Sequence, residues 1–90
     1  MARAIVERHL AACAQISEIE SFYPWDGAIQ HDTEFRILFK TTADGREALE
    51  AAIRELHRYE LPAIHAMAFE HVDPRYEAWI AEQVTVTPLP

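Results

Sequence analysis

The chain has 90 residues, 50% of them apolar and 26% charged, with a formal net charge of −7. A chain of this size buries only about 60 to 65% of its unfolded surface, so residues 1–90 are read as one small domain. No apolar run reaches the roughly 18 residues that span a bilayer, and an acidic balance without a basic run disfavours nucleic acid as a partner.

Cys13, the only cysteine, cannot form an internal disulfide. The first residues also lack the basic segment and apolar core of a secretory signal, which points to a reducing, cytoplasmic setting. Ile5, Val6, His9, Leu10 and Cys13 recur at helical spacing and predict an amphipathic helix over about 2–12. Cys13, beside Ala11 and Ala12 at the end of that stripe, reads as a small buried filler.

Ala14 to Tyr23 reads as a strand with a bulge, because Ile16 and Ile19 are three positions apart and cannot share a face of a regular strand. Pro24-Trp25-Asp26-Gly27 then supplies a turn, with Asp26 tolerant of tight geometry and Gly27 free to take positive φ. Phe35, Ile37 and Phe39 alternate with Arg36, Leu38 and Lys40 in the second arm of the hairpin. Trp25 at the tip is costly to leave in water, so a neighbouring subunit or a cleft is expected to cover it.

Asp44 and Glu47 have the spacing of a capping box, and a helix is predicted from there through Leu56. Ala63 to Glu70 reads as a strand with apolar area on both faces. Asp73-Pro74 opens a last helix, on which Tyr76, Trp79 and Ile80 fall on one side, and Tyr76 and Trp79 read as core anchors. Val84-Thr85-Val86-Thr87 reads as an edge strand ended by Pro88 and Pro90. The order of helices and strands suggests an α+β, split βαβ sandwich, an antiparallel sheet with helices on one face.

The densest chemistry lies in Leu56-His57-Arg58-Tyr59-Glu60-Leu61-Pro62, where a helix ends and Pro62 drives the chain into an extended segment. His57 and Glu60 offer an imidazole nitrogen and a carboxylate oxygen to a divalent ion such as copper or zinc. Spacing alone equally allows His57 to cap the helix, Tyr59 to pack its ring and Glu60 to pair with a cation. His9, His31, His65 and His71 lack the paired spacing of a structural zinc site and read as surface or half-buried residues. Cys13, His57 and Glu60 can be drawn as a triad. With two glycines in the chain and neither a nucleophile elbow nor a phosphate loop, no catalysis is expected.

Several segments together resemble the divalent-cation tolerance family (CutA). Glu7-Arg8-His9-Leu10-Ala11-Ala12-Cys13 looks like its first-helix exit, Tyr23-Pro24-Trp25-Asp26-Gly27-Ala28-Ile29 like its hairpin tip, and Lys40-Thr41-Thr42 like its second-helix entry. The Leu56 to Pro62 run resembles the family's Leu-His-Pro-Tyr-Glu-x-Pro, and Tyr76 with Trp79-Ile80 its final helix. Arg58 stands where the family commonly has proline, and Ala63 replaces the acid that usually follows the run. The family's opening strand has no counterpart ahead of Met1. The resemblance implies a ferredoxin-like homotrimer related to PII signalling proteins and involved in the response to metal ions. It implies copper or another divalent ion at His57, with Glu60 assisting, and Trp25 and Tyr23 at a subunit interface. It also implies an alternative: a PII-like scaffold or signalling module whose inter-subunit clefts, near Trp25, Arg58 and Tyr59, hold a small ligand or partner protein.

Overall fold

Asp26 and Gly27 take positive φ, 52° and 76° respectively, which defines a two-residue type I′ turn. The twist of that turn matches the twist of paired strands, and it joins two arms of 13 residues, β1 (Cys13–Trp25) and β2 (Ala28–Lys40). The arms pair antiparallel in one unbroken register, from Cys13 opposite Lys40 to Trp25 opposite Ala28. The computed structural model describes residues 1–57 and 63–85.

No bulge interrupts the ladder, contrary to the sequence expectation. Ile16 and Ile19 lie on opposite faces, Ile16 across from Ile37 and Ile19 across from Glu34. Since opposed residues share a face, one face carries Ala14, Ile16, Phe22 and Pro24 with Ile29, His31, Phe35, Ile37 and Phe39. The other carries Ser17, Ile19, Ser21 and Tyr23 with Gln30, Asp32, Glu34 and Arg36. Half-burial of Ile19 on the second face supplies what a bulge had been expected to supply.

The first helix, α1 (Ala2–Glu7), is shorter than its periodicity predicts. His9 takes φ of +60°, the Leu10 N–H bonds the Ile5 carbonyl at 3.1 Å, and the His9 N–H bonds the Val6 carbonyl at 3.0 Å. Those two bonds are a Schellman ending, complete with its apolar contact, because Leu10 packs on the core that contains Ile5. Leu10 and Ala11 therefore reach the core through a reversal of the chain, and the helical spacing of Leu10 is incidental.

The second helix, α2 (Arg46–Leu56), buries Leu49, Ala52 and Ile53. Leu49 and Ile53 join Ile5 and Ala11 in the core, with Leu10, Phe39, Leu56 and Ile64 packed against them. On the solvent side Glu50 bridges Arg46 and Arg54 at 3.1 and 3.5 Å, both one turn away. Its N-cap is Gly45, not Asp44, and carries no side-chain capping bond. The turn before the helix is closed by the Gly45 N–H, which donates to the Thr42 carbonyl at 3.1 Å and to Thr42 Oγ1 at 3.2 Å.

Residues 63–69 form no ladder among the described residues, although their alternation predicted a strand. Alternation specifies which way side chains point, whereas a strand also needs a neighbour offering N–H and C=O groups. Only Ile64 of this segment packs on the core, and Met67 and Phe69 are exposed. The last helix, α3 (Pro74–Gln83), begins as predicted, with the Asp73 carboxylate accepting from the N–H groups of Arg75 and Tyr76. Its anchor is Ile80 alone. Tyr76 and Trp79 remain 37% and 41% exposed and stack on each other, centroids 5.9 Å apart, instead of entering the core. Val84 and Thr85 form no strand, and Val86 and Thr87 of that predicted edge lie outside the described residues.

The long hairpin dominates the shape. The radius of gyration is 15.2 Å and the longest extent 45 Å, against about 12 Å expected for the radius of a compact 90-residue domain. Accessible surface is 7573 Å², while a compact monomer of this mass exposes about 5,400 Å².

Candidate functional site

The exit of α2 is fixed from both sides. Its buried stripe holds the helix to the core, and the final turn closes with the His57 N–H on the Ile53 carbonyl at 2.7 Å. His57 then leaves helical geometry at φ −102° and ψ 122°, which ends the helix and leaves its last carbonyls without intrahelical partners. The helix dipole makes this end partially negative, an environment that favours a cation. His57 is half-buried, and Leu56 beside it packs on the core, so the imidazole is carried on a rigid base.

Arg58, Tyr59 and Glu60, which complete the predicted site, lie outside the described residues. Among the described residues no group of three His, Cys, Asp or Glu side chains converges to hold a metal ion. Nor does Cys13 join His57. Cys13 is half-buried rather than buried, its Sγ 3.9 Å from the Tyr76 hydroxyl, at the foot of the hairpin on the face opposite Phe39.

The other predicted residues sit at the far end of the hairpin. Trp25 is 57% exposed, and its carbonyl accepts from Gln30 Nε2 at 3.1 Å across the turn. The Tyr23 hydroxyl donates to Asp32. Phe39, at the opposite end of the same arm, packs on the core with Leu56. Ten residues of strand separate Phe39 from Ile29 beside the turn, a rise of about 33 Å. Within the chain Trp25 and Tyr23 are thus held away from His57 by the length of the arm.

The hairpin also carries polar contacts that the linear sequence did not expose. Ser21 Oγ donates to Glu34 at 3.2 Å, and His31 Nε2 lies 3.3 Å from Glu20 Oε1 while its ring stacks on Phe22, centroids 4.3 Å apart. All are cross-strand neighbours, visible once the turn is placed at Asp26-Gly27 and the register counted outward. Lys40 Nζ sits 5.3 Å from the centroid of the Tyr76 ring, a cation–π contact that ties α3 to the foot of β2.

Comparison with known proteins follows the same lines. A family profile described as CutA1 divalent ion tolerance protein matches residues 1–83. The divalent-cation tolerance protein CutA of Thermotoga maritima is 40% identical over 82 residues, covering 91% of this chain and 81% of that protein. Protein CutA of Mus musculus is 40% identical over 86 residues, 94% of this chain and 48% of the mouse protein. Among solved structures, the PII-like protein CutA from Nostoc in apo form superposes with a TM-score of 0.90 at 28% identity, covering 96% of this chain and 85% of that one. CutA from Synechococcus elongatus gives 0.90 at 36% identity, covering 93% and 75%.

Proposed function

Given that the chain belongs to the CutA1 divalent ion tolerance family and has its ferredoxin-like α+β fold, we propose that it is a non-catalytic, single-domain, homotrimeric metal-response protein of the cytoplasm. It binds copper or a similar divalent ion at the exit of α2. His57 is the principal ligand and Glu60 assists, with further donors supplied across a subunit boundary. The observation that carries this reading is the placement of a half-buried imidazole at the negative end of a core-anchored helix. His57 and Glu60 alone make a loose site, and each chain by itself holds the ion only weakly.

Trimerisation is supported by the exposed hairpin. Ile16, Phe22, Ile29 and Phe35 leave an apolar face in water, and Trp25 is exposed at the tip; a neighbouring subunit removes both liabilities. Tyr23 and Trp25 then lie at the interface, with Arg58 and Tyr59 beside the resulting cleft. No described helix is long and apolar enough to cross a membrane. The test of the site is calorimetry at neutral pH with copper. Native chain and His57→Ala giving the same isotherm overturns the ligand assignment.

A second reading is favoured by the likeness to a PII-like protein and by the lack of a three-donor group among the described residues. In it the inter-subunit cleft holds a small ligand or a partner protein, and metal is incidental. A thermal-shift screen separates the two: stabilisation by an anion or nucleotide but not by copper selects the second.

A further inference from the structure

Between Cys13 and Lys40 the hairpin carries five carboxylates, Glu18, Glu20, Asp26, Asp32 and Glu34, against two cations, Arg36 and Lys40. Lys40 is engaged with the Tyr76 ring. The Arg36 side chain makes no hydrogen bond or ion pair among the described residues. It nevertheless shares its face with Glu34 and Asp32, two and four residues away, and does not fold back onto either. Instead it lines a shallow groove with Gln15, Ile16, Ser17 and Leu38. A guanidinium with a hydroxyl and a carboxamide beside it is a donor set matched to a carboxylate, and no such carboxylate is supplied by the described residues of the same subunit.

The complementary group is on the same face. Glu34 is held by the Ser21 hydroxyl and Asp32 by the Tyr23 hydroxyl, and each carboxylate keeps lone pairs for a further donor. A hydroxyl partner aims a carboxylate without neutralising it. Copies of a chain with net charge −7 repel one another at long range, so association needs local contacts of opposite sign. From these observations we propose that Arg36, with Ser17 and Gln15, receives the Glu34 carboxylate of a second copy of this chain, with Asp32 adjacent, and so sets the register in which hairpins pack. This deepens the oligomeric reading above and rests on it. The contact is head-to-tail, with different patches on the two copies, as a closed ring of subunits requires. It contributes specificity and register more than raw affinity.

The experiment uses the full chain and measures assembly mass by sedimentation velocity across a dilution series, at low salt and at high salt. The native chain is expected to associate; salt screens both the net repulsion and the Arg36 contact, so the contact is read from the gap between native chain and variant, which should narrow as salt rises. Arg36→Glu is expected to weaken association at least about tenfold at low salt. Arg36→Gln, which removes the charge without adding repulsion, should weaken it less. The double variant Arg36→Glu with Glu34→Arg restores opposite charges across the interface and should recover association. Circular dichroism checks that each variant is folded, and Arg36→Gln carries the test if the reversed charge prevents folding. An oligomer indifferent to both Arg36 variants, or a double variant no better than Arg36→Glu alone, overturns this inference and leaves the trimer standing. A native chain that is monomeric at low salt overturns both.

Discussion

His9 donates from Nδ1 to the Gln83 carbonyl at 3.2 Å while its own backbone sits at φ +60°. The same residue's carbonyl accepts the Thr85 N–H at 2.9 Å, so the exit of α1 is stitched to the end of α3 across the whole length of the sequence. The left-handed backbone is what turns these groups toward α3, and in a non-glycine residue it costs about 1 kcal/mol. Two substitutions separate the latch from the strain. His9→Ala loses the side-chain bond and keeps the strain, for an expected loss of about 1 kcal/mol. His9→Gly loses the bond but relieves the strain, for a net change near zero. Urea denaturation measures both, and hydrogen exchange in α3 should quicken in each. Equal destabilisation by the two variants would show that φ contributes nothing.

Ile5 has no exposed surface, the only fully buried large side chain among the described residues, and it touches the core at the point where α1 meets α2. Truncation of such a residue to alanine costs about 2 to 5 kcal/mol, through lost transfer energy and the cavity left behind. Domains have only about 5 to 15 kcal/mol in total. Ile5→Ala should therefore lower the melting temperature sharply, and Ile5→Val should cost only about 0.5 to 1.5 kcal/mol. A calorimetric scan of the two checks the ratio. If both fall together, cavity formation is not the cause.

The hairpin, α2 and the start of α3 were legible because their signals are local: the turn residues Asp26-Gly27, the apolar stripe of Leu49, Ala52 and Ile53, and the Asp73-Pro74 opening. Errors arose where a local pattern has two physical causes. Leu10 matches a helix by spacing, yet reaches the core by a Schellman reversal at His9, a residue without glycine's usual claim to positive φ. Asp44 has the spacing of a cap, but the N-cap is Gly45, whose N–H closes the preceding turn on the Thr42 carbonyl and hydroxyl. Tyr76 and Trp79 share a helix side with Ile80 and carry large aromatic area, which shows where they point but not what stands opposite them. For the candidate site, sequence placed His57 correctly at a helix exit. It gave no access to Arg36, His9 or the His31–Glu20 pair, since each depends on residues distant in the chain.

Gly45 and Gly27 are both constrained, for opposite reasons. A Cβ on Gly45 would lie 2.9 Å from Thr42 Oγ1, 2.9 Å from Val84 Cγ1 and 3.0 Å from Thr41 Oγ1, although the backbone there is ordinary helical. A Cβ on Gly27 would meet nothing within 4 Å, but φ is +76°. Gly45→Ala is expected to cost about 1 to 3 kcal/mol by overpacking, and to disturb the Thr42 bond that starts α2. Gly27→Ala is expected to cost about 1 to 2 kcal/mol through backbone strain alone. Chemical denaturation ranks them, and Gly27→Asn discriminates the mechanisms, because asparagine tolerates the left-handed region and should recover most of the loss. A Gly27→Asn variant as unstable as Gly27→Ala would rule out strain as the cause.

Metal binding at the exit of α2 should respond to acid in one direction only. A histidine binds a divalent ion as neutral imidazole, and protons compete for the same nitrogen. Copper affinity is thus expected to be greatest at neutral pH and to fall on acidification. The control is His57→Ala, which removes the competing nitrogen. Its residual copper binding should be weaker at neutral pH and should change less between the two conditions, so native and variant isotherms converge in acid. Native copper affinity that is flat from neutral pH to about pH 5 would place the ion on groups other than imidazole, and would transfer the metal-response role away from the α2 exit.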